Sequence, residues 1–191
     1  MMNHTGTVTL ETDRLILRRY EMSDAEDMYN NWVADPEVAR FWQWEPHESI
    51  EETKGFLKLW IEEYKKPDNY LWTIVLKSIS QAIGYIYLAD VNDTENSVSV
   101  HYALSRKHWN RGIMPETCNR VLEFAFDVLG AERVYTHHHI DNGASGKVMQ
   151  KCGMRHYKTA YREMPEYEQI SGDYCYYEIV SADWKRKGVQ P

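Results

Sequence analysis

No apolar run in this 191-residue chain approaches the roughly 20 residues needed to cross a bilayer. Its opening stretch, residues 1–10, lacks the cationic start and apolar centre of a secretory signal. Cysteine is scarce: Cys118, Cys152 and Cys175 lie far apart, are odd in number and form no CxxC pair. That disfavours a disulfide framework and a cysteine-based zinc site, and the expected compartment is a reducing cytoplasm. An excess of positive charge is also lacking. The formal net charge of −7 argues against general nucleic-acid binding and against docking on a ribosome through a basic surface. Internal repeats, low-complexity linkers and compositional breaks are absent too. Residues 1–191 therefore read as a single domain with its core at about 11–181. At 43% hydrophobic residues, that length suffices for one well-packed core.

What is present is a regular succession of strand and helix signals. Strand-like runs lie at 14–18, 70–76, 82–88, 98–104, 133–139, 154–161 and 173–181. The second, third and fourth are joined by short polar connections, as an antiparallel meander requires. Ser23-Asp24-Ala25-Glu26 has the form of a helix cap with an acid three residues on, opening a helix to about Val33 that Asp35-Pro36 breaks. Ser49-Ile50-Glu51-Glu52 repeats the pattern ahead of Phe56, Leu59, Trp60 and Tyr64 at helical spacing. A long helix is predicted over 114–129, with Cys118, Val121, Leu122, Ala125 and Leu129 on one face and Gly130 as its stop. A short helix follows at 144–151. The order β-α-α-β-β-β-α-β-α-β-β mixes a meander with a helical crossover, an α+β pattern.

Between the fourth strand and the long helix stands Ser105-Arg106-Lys107-His108-Trp109-Asn110-Arg111-Gly112-Ile113-Met114-Pro115-Glu116. A glycine-containing basic turn that feeds a helix start is an anion cradle. First-turn N–H groups point outward without intrahelical partners, and the helix dipole favours negative charge there. Gly112 lets the backbone approach a ligand closely, and Arg106, Lys107 and Arg111 add positive charge to an acidic protein.

In its order of elements and in three local motifs, the chain resembles the GCN5-related N-acetyltransferase (GNAT) superfamily. Within it, the chain is similar to the subgroup that acetylates the N-termini of ribosomal proteins. The motifs are Glu11-Thr12-Asp13-Arg14-Leu15-Ile16-Leu17-Arg18, the segment from Tyr102-Ala103-Leu104 through Trp109-Asn110-Arg111-Gly112-Ile113-Met114-Pro115-Glu116, and Asp141-Asn142-Gly143-Ala144-Ser145 followed by Lys151-Cys152-Gly153-Met154. The resemblance implies a mixed, mostly antiparallel sheet of six to seven strands with helices on both faces. It also implies transfer of an acetyl group from acetyl-CoA to a primary amine. Backbone amides of Arg111, Gly112, Ile113 and Met114, with Asn110 shaping the turn, would hold the pyrophosphate. Backbone groups near Leu104 and Arg106 would pair with the pantetheine arm as an added strand does. Asn142 would fix that arm or, alternatively, simply cap the helix that follows. Ser145 would be the acid that protonates the departing thiolate.

The chain departs from the pattern at four places. Asn110 replaces a glycine, and asparagine tolerates left-handed backbone. Pro115 replaces a threonine and removes one N–H donor. Met149 stands where many members of the superfamily carry a tyrosine acid, and Tyr157 stands where the subgroup often carries a glutamate base. His101 becomes the first candidate base, since neutral imidazole accepts protons near pH 7; the alternative is a half-buried polar residue on a strand. Trp42 and Trp44, in a Pro-flanked loop, are candidates for an acceptor wall, with Glu45 and Glu48 beside them, whereas Trp32 is assigned to helix packing. Within His137-His138-His139, alternation puts only two rings on one face, too few for a closed metal site, so no metal is expected. His138 is placed in the cleft where the central strands part. The acceptor stays open between a protein N-terminus and a small-molecule amine such as a polyamine, an aminoglycoside or an amino-sugar. A non-catalytic CoA-binding sensor is the remaining alternative, and the chain is read as a monomer or homodimer.

Overall fold

Period-two alternation and β-branched runs give strands where the sequence places them. The computed structural model describes residues 1–187. Its sheet opens with β1 (Leu10–Glu11) and β2 (Leu15–Arg18) and continues through β3 (Tyr70–Leu76), β4 (Gln81–Asn92) and β5 (Ser97–Leu104). After a helical crossover come β6 (Arg133–His139), β7 (Arg155–Arg162) and β8 (Gly172–Val180). The strands lie in the order β1-β2-β3-β4-β5-β6-β8-β7. Only β5 and β6 run parallel, among antiparallel neighbours. Eight strands thus replace the six to seven expected. The addition is the two-residue β1, too short for alternation to register in sequence.

Helices cover both faces of the sheet. On one side lie α1 (Ala25–Met28), extended by a wider turn over Tyr29–Val33, then α2 (Pro36–Ala39) and α3 (Ile50–Glu63). Their buried Met28, Trp32 and Leu57 pack on Leu71, Tyr85 and Ala103 of the strands. On the other lie α4 (Ile113–Glu123), extended over Phe124–Val128, and α5 (Gly143–Lys151), while α6 (Ser181–Lys187) follows the last strand. The predicted face of α4 holds: Cys118, Val121, Leu122, Ala125 and Leu129 are all fully buried, and Gly130 ends the run at φ +77°. Sandwiched between two helical layers, β3 is buried over six consecutive residues, so it reads as a continuous apolar run without alternation. No helix among the described residues is long and apolar enough to cross a membrane.

Capping explains where the helices begin. Ser49 Oγ accepts from the Glu52 amide at 3.2 Å, and the Glu52 carboxylate accepts from the Glu48 amide at 2.8 Å. A short 3-10 turn, Met22–Asp24, precedes α1, so the capping position is Glu21, two residues before the Ser23 that the sequence predicts. Asp24 is the reason. Its buried carboxylate accepts from the Glu21 amide at 2.8 Å and is held by both terminal nitrogens of Arg18 at 2.7 Å, and this fixes the entry of the chain.

Two irregularities of the sheet position the site. β5 and β6 pair only through Ser97–Arg133, Val98–Val134 and Ser99–Tyr135, so beyond Ser99 the two strands are unpaired. On the other edge of β5 the register skips between Ala89 and Asn92 of β4, a bulge that sets Asp90 at φ +48°. Farther along the same pair, the backbones approach so closely that a methyl group at Gly84 would stand 2.4 Å from the Ala103 carbonyl oxygen. Gly84→Ala is therefore expected to cost about 1–3 kcal/mol, measured as a lower urea midpoint at unchanged m-value.

Candidate active site

The basic turn after β5 takes the shape that its two permissive residues allow. Asn110 and Gly112 both have left-handed backbone, at φ +59° and +73°, and between them they turn Arg111 outward. Asparagine thus does serve where the resemblance expected glycine. The turn is braced from behind by the chain's opening strands: Arg14 donates to the Arg111 carbonyl at 3.0 Å and pairs with Glu116 at 2.6 Å, while Thr12 donates to the same carboxylate. Trp109 Nε1 donates to the Leu104 carbonyl at 2.8 Å and folds the turn back on the strand end.

In front of the turn lies a cavity of about 430 Å³. Leu104, Asn110, Arg111, Gly112, Ile113, Met114, Asn142 and Ser145 all line it. Arg106 does not; its guanidinium is turned away to Asp35, 3.0 Å off, because α2 brings that carboxylate over the strand end. The sequence reading missed three cations on the walls: Arg40 on the preceding loop and Lys147 and Lys151 on α5 join Arg111, and the acidic residues Glu37 and Asp141 line the same cavity. The i,i+4 spacing of the two lysines on the exposed face of α5 was the available signal. A pyrophosphate fits this cradle physically. A side chain at Gly112 would meet only the Arg14 guanidinium, at 3.6 Å, and His108 Nδ1 on the cavity wall is a buried polar atom with no partner among the described residues.

Where β5 and β6 part, a second cavity of about 310 Å³ opens, sharing Tyr102, Asn142 and Ser145 with the first. Asn142 Oδ1 accepts from the Ser145 amide at 3.3 Å, so its carboxamide oxygen does act as a helix cap while its residue faces both cavities. Tyr102 donates to the Ser145 carbonyl at 3.3 Å, and burial holds its phenol well above the ordinary tyrosine range. Met149 is buried at the same wall. Tyr157 lies elsewhere, on the exposed strand β7 under the Arg133 guanidinium.

Burial disfavours the charged form of three histidines of this cavity, His101, His137 and His138. Burial pushes His101 below the ordinary imidazole range, with Asp90 pulling it up and Arg162 pushing it down. Burial, Arg162 and His101 together hold His137 down to about 3. His101 stacks on its cross-strand partner Tyr87 at 5.2 Å and meets the edge of His137 at 5.5 Å. Its Nε2 lies 3.0 Å from Ser99 Oγ, which in turn donates to Asp90 Oδ2 at 2.7 Å. His138 lines the cleft as expected. Its Nδ1 pairs with the His139 carbonyl at 2.8 Å, and its buried Nε2 abuts Gly146. Among the described residues no group of three or more His, Cys, Asp or Glu is placed to hold a metal ion.

The third and largest cavity, about 710 Å³, is walled by Trp42, Trp44, Phe56, Trp60, Tyr85 and Tyr87. Trp42 stands 5.7 Å from Tyr85 and 6.5 Å from Tyr87, and Trp60 stands 5.9 Å from Tyr85. The acidic residues that line it are Glu63, whose carboxylate pairs with Lys66, Asp68 and Asp90; the exposed Glu45 and Glu48 do not, so long-range packing and not loop proximity selects them. No lysine or arginine is among the described residues that line it. Trp32 is in the core, as expected. Tyr87 and Asp90 also line the central cavity, and Trp42 lines all three.

Comparison with known proteins agrees with this geometry. Residues 14–155 match the acetyltransferase (GNAT) domain. An uncharacterized N-acetyltransferase, YoaA, of Bacillus subtilis (strain 168) is 30% identical over 146 residues, covering 76% of this chain and 82% of that one. Spermidine N(1)-acetyltransferase of Vibrio cholerae is 23% identical over 141 residues, 73% of this chain and 78% of its own length. The crystal structure of ribosomal-protein-S5-alanine acetyltransferase from Vibrio fischeri superposes with a TM-score of 0.78 at 20% identity, over 93% of this chain and 98% of that one. The chain belongs to the GNAT acetyltransferase family and is an acyl-CoA-dependent N-acetyltransferase.

Proposed function

We propose that the protein acetylates a primary amine on a small organic cation, by direct attack of the amine on the thioester of acetyl-CoA. The observation that carries this reading is the division of charge along one cleft. The cavity at the turn is lined by four cations and two carboxylates, the aromatic cavity by three carboxylates without lysine or arginine. An anionic donor and a cationic acceptor are thereby drawn to opposite ends. Aromatic faces such as those of Trp42, Trp44 and Trp60 hold organic cations by about 0.5–2 kcal/mol each. The similarity to spermidine N(1)-acetyltransferase supports the same class of acceptor. A protein N-terminus, which the ribosomal-protein subgroup would suggest, needs none of these enclosed aromatic walls.

The amides of residues 111–114 would take the pyrophosphate, with Lys147 and Lys151 adding charge from α5. The backbone edge of β5 beyond Ser99, free on its β6 side, offers the pantetheine arm strand-like pairing. Acetyl-CoA supplies an electrophilic carbonyl. His101, held neutral, removes the proton that the acceptor's ammonium carries at neutral pH. Ser145, at the start of α5, donates to the departing sulfur. A covalent enzyme intermediate is not required; Cys118 and Cys152 are buried in the core.

Thiol release from acetyl-CoA across polyamines, aminoglycosides, amino-sugars and peptides with free N-termini tests the reading. Turnover is expected on the small cations. Turnover confined to peptides overturns the acceptor class, and CoA binding with no turnover on any amine makes the protein a sensor. Within the active enzyme, His101→Ala should lower kcat about 10²-fold or more while leaving acetyl-CoA affinity unchanged. Trp44→Leu should raise KM for the amine roughly 2- to 30-fold at constant kcat. Gly112→Val, forced into left-handed backbone, should weaken acetyl-CoA binding about tenfold by calorimetry.

A further inference from the structure

The bulge in β4 is built around an aspartate in left-handed backbone. The register jumps from Ala89–Ser99 to Asn92–Ser97, and the extra residue swings Asp90 back across the strand pair. Its Oδ2 there meets the hydroxyl of Ser99, a fully buried residue, at 2.7 Å. Ser99 and His101 are two apart on β5 and share a face, and Ser99 Oγ lies 3.0 Å from His101 Nε2. Strained backbone that aims a carboxylate at a buried hydroxyl, beside a histidine in a cleft, is a pattern of functional sites.

The donor–acceptor inventory settles the direction of this chain. A carboxylate only accepts, so the Ser99 O–H points to Asp90. The oxygen of Ser99 is then left to accept, and His101 Nε2 must carry the hydrogen it receives. The ring's other nitrogen, Nδ1, is left as the free acceptor. We infer that Asp90 and Ser99 are positioning residues, which lock His101 in the Nε2–H tautomer so that Nδ1 takes the proton from the acceptor amine. The inference rests on the reading of His101 as base. In the step, the acceptor's ammonium gives one proton to Nδ1. The neutral amine so freed bonds to the acetyl carbon, and its second proton passes to Ser145 as Ser145 gives its own to the sulfur, whose bond to that carbon breaks. The imidazolium so formed keeps its Nε2–H on Ser99, is stabilised by the Asp90 carboxylate, and returns the Nδ1 proton to cavity water after the thiol has left. The groups facing the ring from the other elements are Tyr87 on β4, His137 on β6 and Arg162 on β7, the last bonded to His137. Asp90 is therefore the one anion in this group. It also lines both the aromatic and the central cavity, between the acceptor and the ring.

Two substitutions separate a positioning role from a structural one. At φ +48° glycine is the least strained residue, so Asp90→Gly should leave the urea midpoint equal or higher. If Asp90 acts through His101, the same variant should lose about 10- to 100-fold in kcat, part of what a general base is worth. Asp90→Asn keeps shape but not charge, and should move the acid limb of the kcat profile to lower pH, because Asp90 raises the imidazole that it faces. Nitrogen NMR of the free protein provides a readout independent of turnover: His101 is expected as the Nε2–H tautomer, and Ser99→Ala should mix the two. Full activity in Asp90→Gly alongside a slow His101→Ala overturns the inference and leaves His101 as base. Full activity in His101→Ala overturns both.

Discussion

Everything in this site depends on where the only parallel pair of strands stops pairing. A parallel neighbour can be reached only by a crossover, and α4 is that crossover, so its N-terminus must lie at the end of β5. Had β5 and β6 stayed paired to their ends, the first turn of α4 would face a closed sheet. Because they separate after three residue pairs, a gap opens in the middle of the sheet and connects the two helical layers. Backbone N–H and C=O groups cannot be left buried without partners. An edge exposed in such a gap is therefore suited to an extended ligand that supplies hydrogen bonds along its length.

The gap also divides the charged residues that line the cleft of this small acidic domain. The end at the basic turn collects cations from the turn before α4, from α5 and from the loop after α2. The other end collects carboxylates from α3, the loop after it and the β4 bulge. In the middle, His101, His137 and His138 are held below the ordinary imidazole range by burial, and Asp90 and Arg162 line the same cavity with opposite charge.

What could be read from the sequence was whatever is written locally. The turn from Ser105 to Glu116 carries its own shape, since left-handed backbone needs Gly112 and tolerates Asn110. The buried face of α4 repeats at helical spacing, and it folds as that spacing says. The rest is assembled from a distance. Asp90 has no sequence mark, because a bulge is a property of two strands in register, and the residue opposite is known only once β4 meets β5. Arg106 looked like part of the cradle, but Asp35, some seventy positions earlier, captures it. Glu45 and Glu48 neighbour the tryptophans in sequence, whereas Glu63 and Asp68 neighbour them in space. The two-residue β1 illustrates the same limit at its smallest scale: periodicity needs more than one period to be visible.

Trp42 is the one side chain that borders all three cavities. A wall common to two ligands makes their bindings interdependent. Whatever one ligand does to settle the position of this indole is already done when the other arrives, and thermodynamic linkage makes the benefit equal in both directions. On the proposed function, the cavities for donor and acceptor share this one wall, and the occupancy of either becomes information available to the other.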